Sequence, residues 1–197
     1  HRVRVLDSLV YGGEAIVDLL DHERFEFVKG DVRNATDVRT ATKGVDAVVH
    51  LAAIVGDPAC AKQPDLARAT NLDGSRMLYE MSEEAAVSRF VFASTCSNYG
   101  KMTDSSSYVT EESELRPVSL YAQTKVAVER ALLSGPAPGA PLATILRFAT
   151  VFGFSPRMRF DLTVNEFTME LLIRRRLTIY GEQFWRPYVH VRDAAQA

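Results

Sequence analysis

Short apolar runs of strand length alternate with helix-length segments from Val3 to Arg147. The runs are Val3–Asp7, Phe25–Lys29, Ala47–Ala53, Arg89–Ser94 and Ala143–Arg147. Pro64 opens a predicted helix running to about Ala86. A second helix spans about Leu120 to Leu133, stopped by Gly135 and Pro136. Strands alternating with helices build βαβ units, so the spacing predicts an α/β protein with a doubly wound parallel sheet, helices on both faces. Ala47–Ala53 is almost continuously apolar and reads as a strand covered on both sides. Ligands of such sheets sit outside the carboxyl ends of the strands. That rule directs attention to Asp7, Asp31, His50 to Ala53, Ser94, Thr95 and Arg147 onward.

Elsewhere the pattern loosens. Met102 to Pro117 reads as a serine-rich, acidic loop closed by proline. Beyond Gly153 come a basic loop, a helix from about Asp161 to Arg176, and strand-like pieces at Leu177–Tyr180 and Tyr188–His190. With 197 residues and 47% hydrophobic content, the chain is predicted to form one large domain or one and a part. The net charge of −2 argues against a nucleic-acid partner. Its longest apolar stretch, Ala47 to Val55, is too short for a bilayer and is interrupted by His50, so no membrane partner is expected. No signal peptide is visible, and the chain opens at His1. Cys60 and Cys96 cannot make a disulfide framework, and no Cys/His spacing suits a metal. A reducing, cytoplasmic setting is the default expectation.

Tyr121-Ala122-Gln123-Thr124-Lys125 places a phenol and an ammonium four residues apart on one helix face. The positive charge favours phenolate, which suits Tyr121 to act as general base toward a hydroxyl or general acid toward a carbonyl. Such a pair also arises by chance. Thr95, just past a strand end, offers a hydroxyl for the same substrate oxygen; a turn-forming Ser/Thr cluster is the alternative. Asp7 stands where a dinucleotide site needs an acceptor for ribose hydroxyls, or is merely a loop residue. Residues 147 to 197 hold eight Arg against five Asp and Glu, a local charge of +3. Guanidinium forks suit a diphosphate, and Arg157, Arg159 and Arg186 are the candidates. Arg174, Arg175 and Arg176 read as a solvated helix end.

In order and spacing, these residues resemble a known family. The matching pieces are Asp7, Gly30-Asp31-Val32, His50-Leu51-Ala52-Ala53, Asn71 with Gly74, Ser94-Thr95 with Tyr99-Gly100, Tyr121 with Lys125, Leu146-Arg147, and Arg186 through His190 to Asp193. Together they resemble an extended short-chain dehydrogenase/reductase of the NAD-dependent sugar-nucleotide epimerase/dehydratase family, similar to UDP-glucose 4-epimerases. The resemblance implies a Rossmann-type core over residues 1–150 and the start of a substrate lobe over 151–197, incomplete at the two ends of the chain.

The same resemblance implies roles. Asp7 and Ser8 would meet the adenosine ribose, with Asp7 favouring NAD over NADP. Asp31 and Val32 would contact adenine, and Leu51, Ala52, Ala53 and Ala93 would line the cofactor. Asn71 would brace the loops over it. Lys125 would bind the nicotinamide ribose and tune Tyr121, with Thr95 as hydroxyl partner; Tyr121, Lys125 and Thr95 form the implied catalytic set. Phe148 would pass the nicotinamide, Thr150 would touch substrate, and Arg186 would hold the nucleotide diphosphate. The helices at about 65–86 and 120–133 resemble a homodimer interface.

Departures narrow the chemistry. Family dehydratases carry an Asp-Glu pair just after the threonine; here those positions are Cys96 and Ser97. Family decarboxylases usually keep a Glu where Ser97 stands. Epimerisation through hydride removal and return fits better, with a keto-sugar reductase as alternative and a cofactor-sensing regulator as the non-enzyme reading. Pro187 and Trp185 depart from the family pattern at the substrate end. No two of the eleven glycines lie two or three residues apart, so the glycine-rich turn that receives a pyrophosphate is missing. The segment as it stands is expected to bind NAD poorly and to be the middle of a larger enzyme.

Overall fold

The computed structural model describes residues 1–101, 108–134, 138–183 and 185–197. Two compact units emerge: residues 1–11 with 18–147, and residues 12–17 with 148–197. In the larger unit, β1 (Val3–Asp7) and β2 (Phe25–Lys29) pair in parallel, Val3 opposite Phe25 and Asp7 opposite Lys29. A separate sheet runs β3 (Ala47–His50), β4 (Arg89–Thr95), β5 (Leu142–Phe148), with β3 and β4 parallel. A doubly wound sheet orders its strands 3-2-1-4-5-6. The two groups correspond to strands 3-2 and 4-5-6, and no described strand lies between β1 and β3.

That arrangement corrects the reading of Ala47–Ala53. Only Ala47 to His50 find partners on β4, and the strand stops there. Ala47 and Val49 on one face are exposed while His50 on the other is buried, because no described element packs on the first face.

The helices follow local chemistry. The Asn34 side chain caps α1 (Ala35–Thr42), accepting from the Thr36 and Asp37 amides. Pro58 and Pro64 sit in the first turns of α2 (Asp57–Lys62) and α3 (Pro64–Arg68). The single helix expected over 64–86 is instead α3, a π-helical turn at Ala69–Gly74, and α4 (Ser75–Glu84). Ser119 caps α5 (Leu120–Leu133), whose limits agree with the expected ones; Gly135 and Pro136 lie outside the described residues, as do residues 102–107 of the expected loop. Val38, Leu78, Phe90, Phe92, Val128 and Leu132 form the core where α1, α4 and α5 meet β4.

In the smaller unit, β6 (Thr150–Phe152) pairs in parallel with β7 (Tyr188–His190). α6 (Thr163–Arg174) ends on Arg175 in the left-handed conformation, and α7 (Val191–Ala194) is capped by His190. Leu177–Tyr180, expected as a strand, pairs with nothing in these sheets and is irregular.

Candidate active site

β4 delivers the first components. Phe90, Phe92 and Ser94 alternate onto the buried face, and Thr95 ends the strand, itself buried. The Thr95 Oγ1 accepts from the Ser97 amide (3.1 Å) and caps a short 3₁₀ turn, Cys96–Tyr99. That bond uses one of its two lone pairs, and the hydroxyl keeps its proton to donate. Gly100 closes the turn at φ 71°, and a Cβ there would lie 2.1 Å from the Arg116 carbonyl oxygen, so only glycine fits.

α5 packs on β4 and on this turn. Tyr121 and Lys125 occupy successive turns of its inner face, with Lys125 Nζ 5.9 Å from the Tyr121 ring centroid and 4.6 Å from that of Phe92. Nζ donates to the Ala93 carbonyl at 2.7 Å, so two of its three protons stay available to another ligand. Burial in this apolar setting lowers the Lys125 pKa to about 8, against the opposing pull of Cys60 and Glu129.

A second polar set lies beside it. The buried His50 places Nε2 2.8 Å from Ser75 Oγ. Ser75 spends its own proton on the Asn71 carbonyl (2.7 Å), so the imidazole must be the donor and carries its proton on Nε2. Burial and then the Lys125 charge depress the His50 pKa to about 3, keeping the ring neutral. Asn71, in the π-helical turn, accepts from the Ile54 amide (2.7 Å) and donates to the Ile54 carbonyl (2.9 Å). It therefore pins the loop that begins at Leu51, Ala52 and Ala53, of which Leu51 is exposed. A π-turn aims one side chain out of α-helical register, which is how Asn71 reaches this backbone.

Asp7 and Asp31 come to the same carboxyl edge of the β1–β2 pair, where the Gly30 amide donates to the Asp7 carbonyl. The Asp7 carboxylate is exposed and accepts from the Leu9 amide at 2.6 Å; Ser8 beside it is exposed too. Asp31 is gripped by Arg33 through Nε (2.9 Å) and Nη2, which holds its carboxyl below the usual range. Val32 is buried beneath Gly74, whose Cα lies so near the Val32 carbonyl that an added Cβ would sit 3.2 Å away.

Phe148, Thr150 and Arg186 belong to the smaller unit. There the Thr150 amide donates to the Pro187 carbonyl (3.1 Å), which brings Thr150 and the exposed Arg186 to the same end of the β6–β7 pair. Arg159, a candidate for anion contact, pairs with Asp161 at 2.6 Å.

Sequence reasoning missed a buried cluster around Glu129. This carboxylate accepts from Ser94 Oγ (2.5 Å), Asn98 Nδ2 (2.8 Å) and Arg147 Nη2 (2.7 Å). Its one sequence signal was position: Tyr121, Lys125 and Glu129 recur at intervals of four along one helix face.

Among the described residues, no group of His, Cys, Asp and Glu could hold a metal ion, and no helix is long and apolar enough to cross a membrane.

The family model for the NAD dependent epimerase/dehydratase family matches residues 1–197. The chain is 34% identical over 182 residues to YtcB of Bacillus subtilis (strain 168), described as an uncharacterized UDP-glucose epimerase, covering 91% of this chain and 55% of the relative. The dTDP-glucose 4,6-dehydratase DesIV of Streptomyces venezuelae, solved with NAD and TYD bound, superposes with a TM-score of 0.83 at 33% identity, covering 99% of this chain and 60% of that one. The UDP-glucose 4-epimerase of Thermotoga maritima, solved with UDP-glucose, gives a TM-score of 0.85 at 26% identity, over 100% of this chain and 63% of that one. The chain thus spans little more than half the length of such relatives. It belongs to the NAD-dependent epimerase/dehydratase family.

Proposed function

We propose that this chain is the core of an NAD-dependent epimerase acting on a nucleotide-activated sugar. The observation that carries the reading is the β4 terminus: a proton-bearing Thr95 beside α5 with Tyr121 and Lys125, followed by Cys96 and Ser97 in place of carboxylates. The family resemblance implies an Asp-Glu pair at those positions for water elimination, and Cys96 and Ser97 supply no carboxyl acid there.

The donor set fits NAD at its two riboses. Asp7 would accept from the adenosine ribose hydroxyls. Lys125 would hold the nicotinamide ribose with the protons left over from Ala93. NAD⁺, held by Asp7 and Lys125, would supply the hydride acceptor, and NADH the donor, for oxidation and re-reduction of the sugar carbon. Tyr121 takes the proton of the sugar hydroxyl as the carbonyl forms and gives it back as the carbonyl is reduced. The Lys125 charge favours the phenolate in the first step. Thr95 donates to the same oxygen and orients it. Inversion requires only that the keto-sugar present its other face before the hydride returns. On the smaller unit, Thr150 and Arg186 would contact sugar and diphosphate. The neighbouring helices α4 and α5 would form a homodimer interface. A reducing, cytoplasmic setting suits the thiols of Cys60 and Cys96, neither of which is in a disulfide.

The test is the full-length protein incubated with NAD⁺ and a panel of nucleotide sugars, with products identified by NMR. The reading predicts a mixture of two epimers with no net change in NADH. A dehydrated sugar, or stoichiometric NADH consumption with a keto-sugar substrate, would contradict it.

A further inference from the structure

A buried carboxylate is an expensive way to hold a core together. Apolar residues of similar volume usually stabilise as much, whereas a bidentate ion pair adds fixed direction. Glu129 is 1% exposed and offers both oxygens to Arg147: Nε donates to Oε1 (3.2 Å) and to Oε2 (3.1 Å), and Nη2 donates to Oε2 (2.7 Å). The hydrogen bonds from Glu129, and then from Tyr99, hold the Arg147 guanidinium firmly charged against the opposing effect of its burial.

The partners of this pair are not scattered. Glu129 also binds Ser94 and Asn98, which flank Thr95 on either side. Asn98 Nδ2 in turn donates to Ser94 Oγ at 3.0 Å. The third nitrogen of Arg147, Nη1, donates to the Tyr99 hydroxyl (2.9 Å) and to the Glu111 carbonyl (3.1 Å). One ion pair therefore grips the Ser94–Tyr99 segment at three side chains. The helix that carries Glu129 also carries Tyr121 and Lys125, and Lys125 grips the neighbouring carbonyl of Ala93. Two successive strand residues, Ala93 and Ser94, are thus each tied to α5, one turn apart.

We infer that the buried Glu129–Arg147 pair is a positioning device that fixes the Thr95 turn against α5 and so sets how Thr95 and Tyr121 share one substrate oxygen. Neither residue is placed at the reacting atoms; both act through the segment they hold. The inference rests on the proposed roles of Thr95 and Tyr121.

The experiment compares Glu129→Gln with wild type in the full-length protein. Turnover is expected to fall about 10- to 100-fold, with KM for the nucleotide sugar and NAD⁺ affinity little changed, as for a misplaced group. Thr95→Ala should then cost much less in the Glu129→Gln background than in wild type, since the hydroxyl is already out of place. Equal costs in both backgrounds would overturn the inference. A readout independent of catalysis keeps it separate from the functional reading. Hydrogen exchange at the Ser97 amide, which is bonded to Thr95, should accelerate about tenfold or more while that of α1 is unchanged. Unchanged Ser97 protection would refute the positioning role even in a protein with no epimerase activity. A wild type inert toward every sugar, with accelerated Ser97 exchange in the variant, would refute the function and leave the device standing. Should Glu129→Gln not fold, Ser94→Ala removes one tether without orphaning a charge and should move the same readouts in the same direction.

Discussion

In the larger unit Val38, Phe90 and Phe92 are wholly buried, while in the smaller unit Asn165 is the one buried residue among those described. The smaller unit instead exposes large apolar side chains, among them Phe154, Leu172, Ile173, Tyr180 and Trp185. The proposed proton-handling residues Thr95, Tyr121 and Lys125 stand on the unit with a buried core, where packing locks rotamers. The candidate substrate contacts Thr150 and Arg186 stand on the smaller unit, where Asn165 alone is buried among the described residues.

Substitutions that probe each interior should differ sharply. Phe90→Ala removes a fully buried ring packed edge to face on Tyr79 at 5.2 Å and should cost about 3–5 kcal/mol in denaturant unfolding. A loss comparable to that of a surface change would break the comparison.

Acid should act through the same unit. The His50 pKa is depressed to about 3 in the folded chain, so the unfolded chain binds the extra proton first. This contribution is complete above about pH 6.5, the unperturbed value, and is lost as pH falls toward 3, on the order of a few kcal/mol. His50→Leu, which leaves the Ser75–Asn71 bond intact, should flatten stability against pH between 6.5 and 4 in urea titrations. An unchanged slope would assign the acid sensitivity elsewhere.

Asn71→Ala strands the Ile54 amide and leaves its carbonyl only the Cys60 thiol, and should cost about 1–3 kcal/mol, read as a lower urea midpoint with weaker NAD binding. Ile173→Ala, on the exposed end of α6, should change stability by less than about 0.5 kcal/mol.

Much of this division was legible in the residues, and the exceptions are instructive. Strand ends and the limits of α5 follow from apolar runs and from Ser119 as a cap, which are local signals. α1 went unseen because Ala35–Thr42 carries three threonines and a single strongly apolar residue, Val38; the cap at Asn34 was the cue. The break of the predicted 64–86 helix at Ala69–Gly74 leaves little trace in apolar spacing, since its purpose is to turn Asn71 toward Ile54. Tyr121, Lys125 and Thr95 were readable from spacing. Glu129 was not, because a helical Glu reads as a solvated charge until β5 brings Arg147 against it from 18 residues away. Likewise the Arg159–Asp161 pair joins two residues that nothing in their spacing singles out.

The central claim is that Tyr121 moves the proton. Its most direct measurement is turnover of the full-length Tyr121→Phe variant on the nucleotide sugar identified by NMR, alongside NAD⁺ affinity by calorimetry. The account predicts a loss of about 10²- to 10⁴-fold in kcat with NAD⁺ binding and unfolding midpoint retained. Turnover equal to wild type would contradict it.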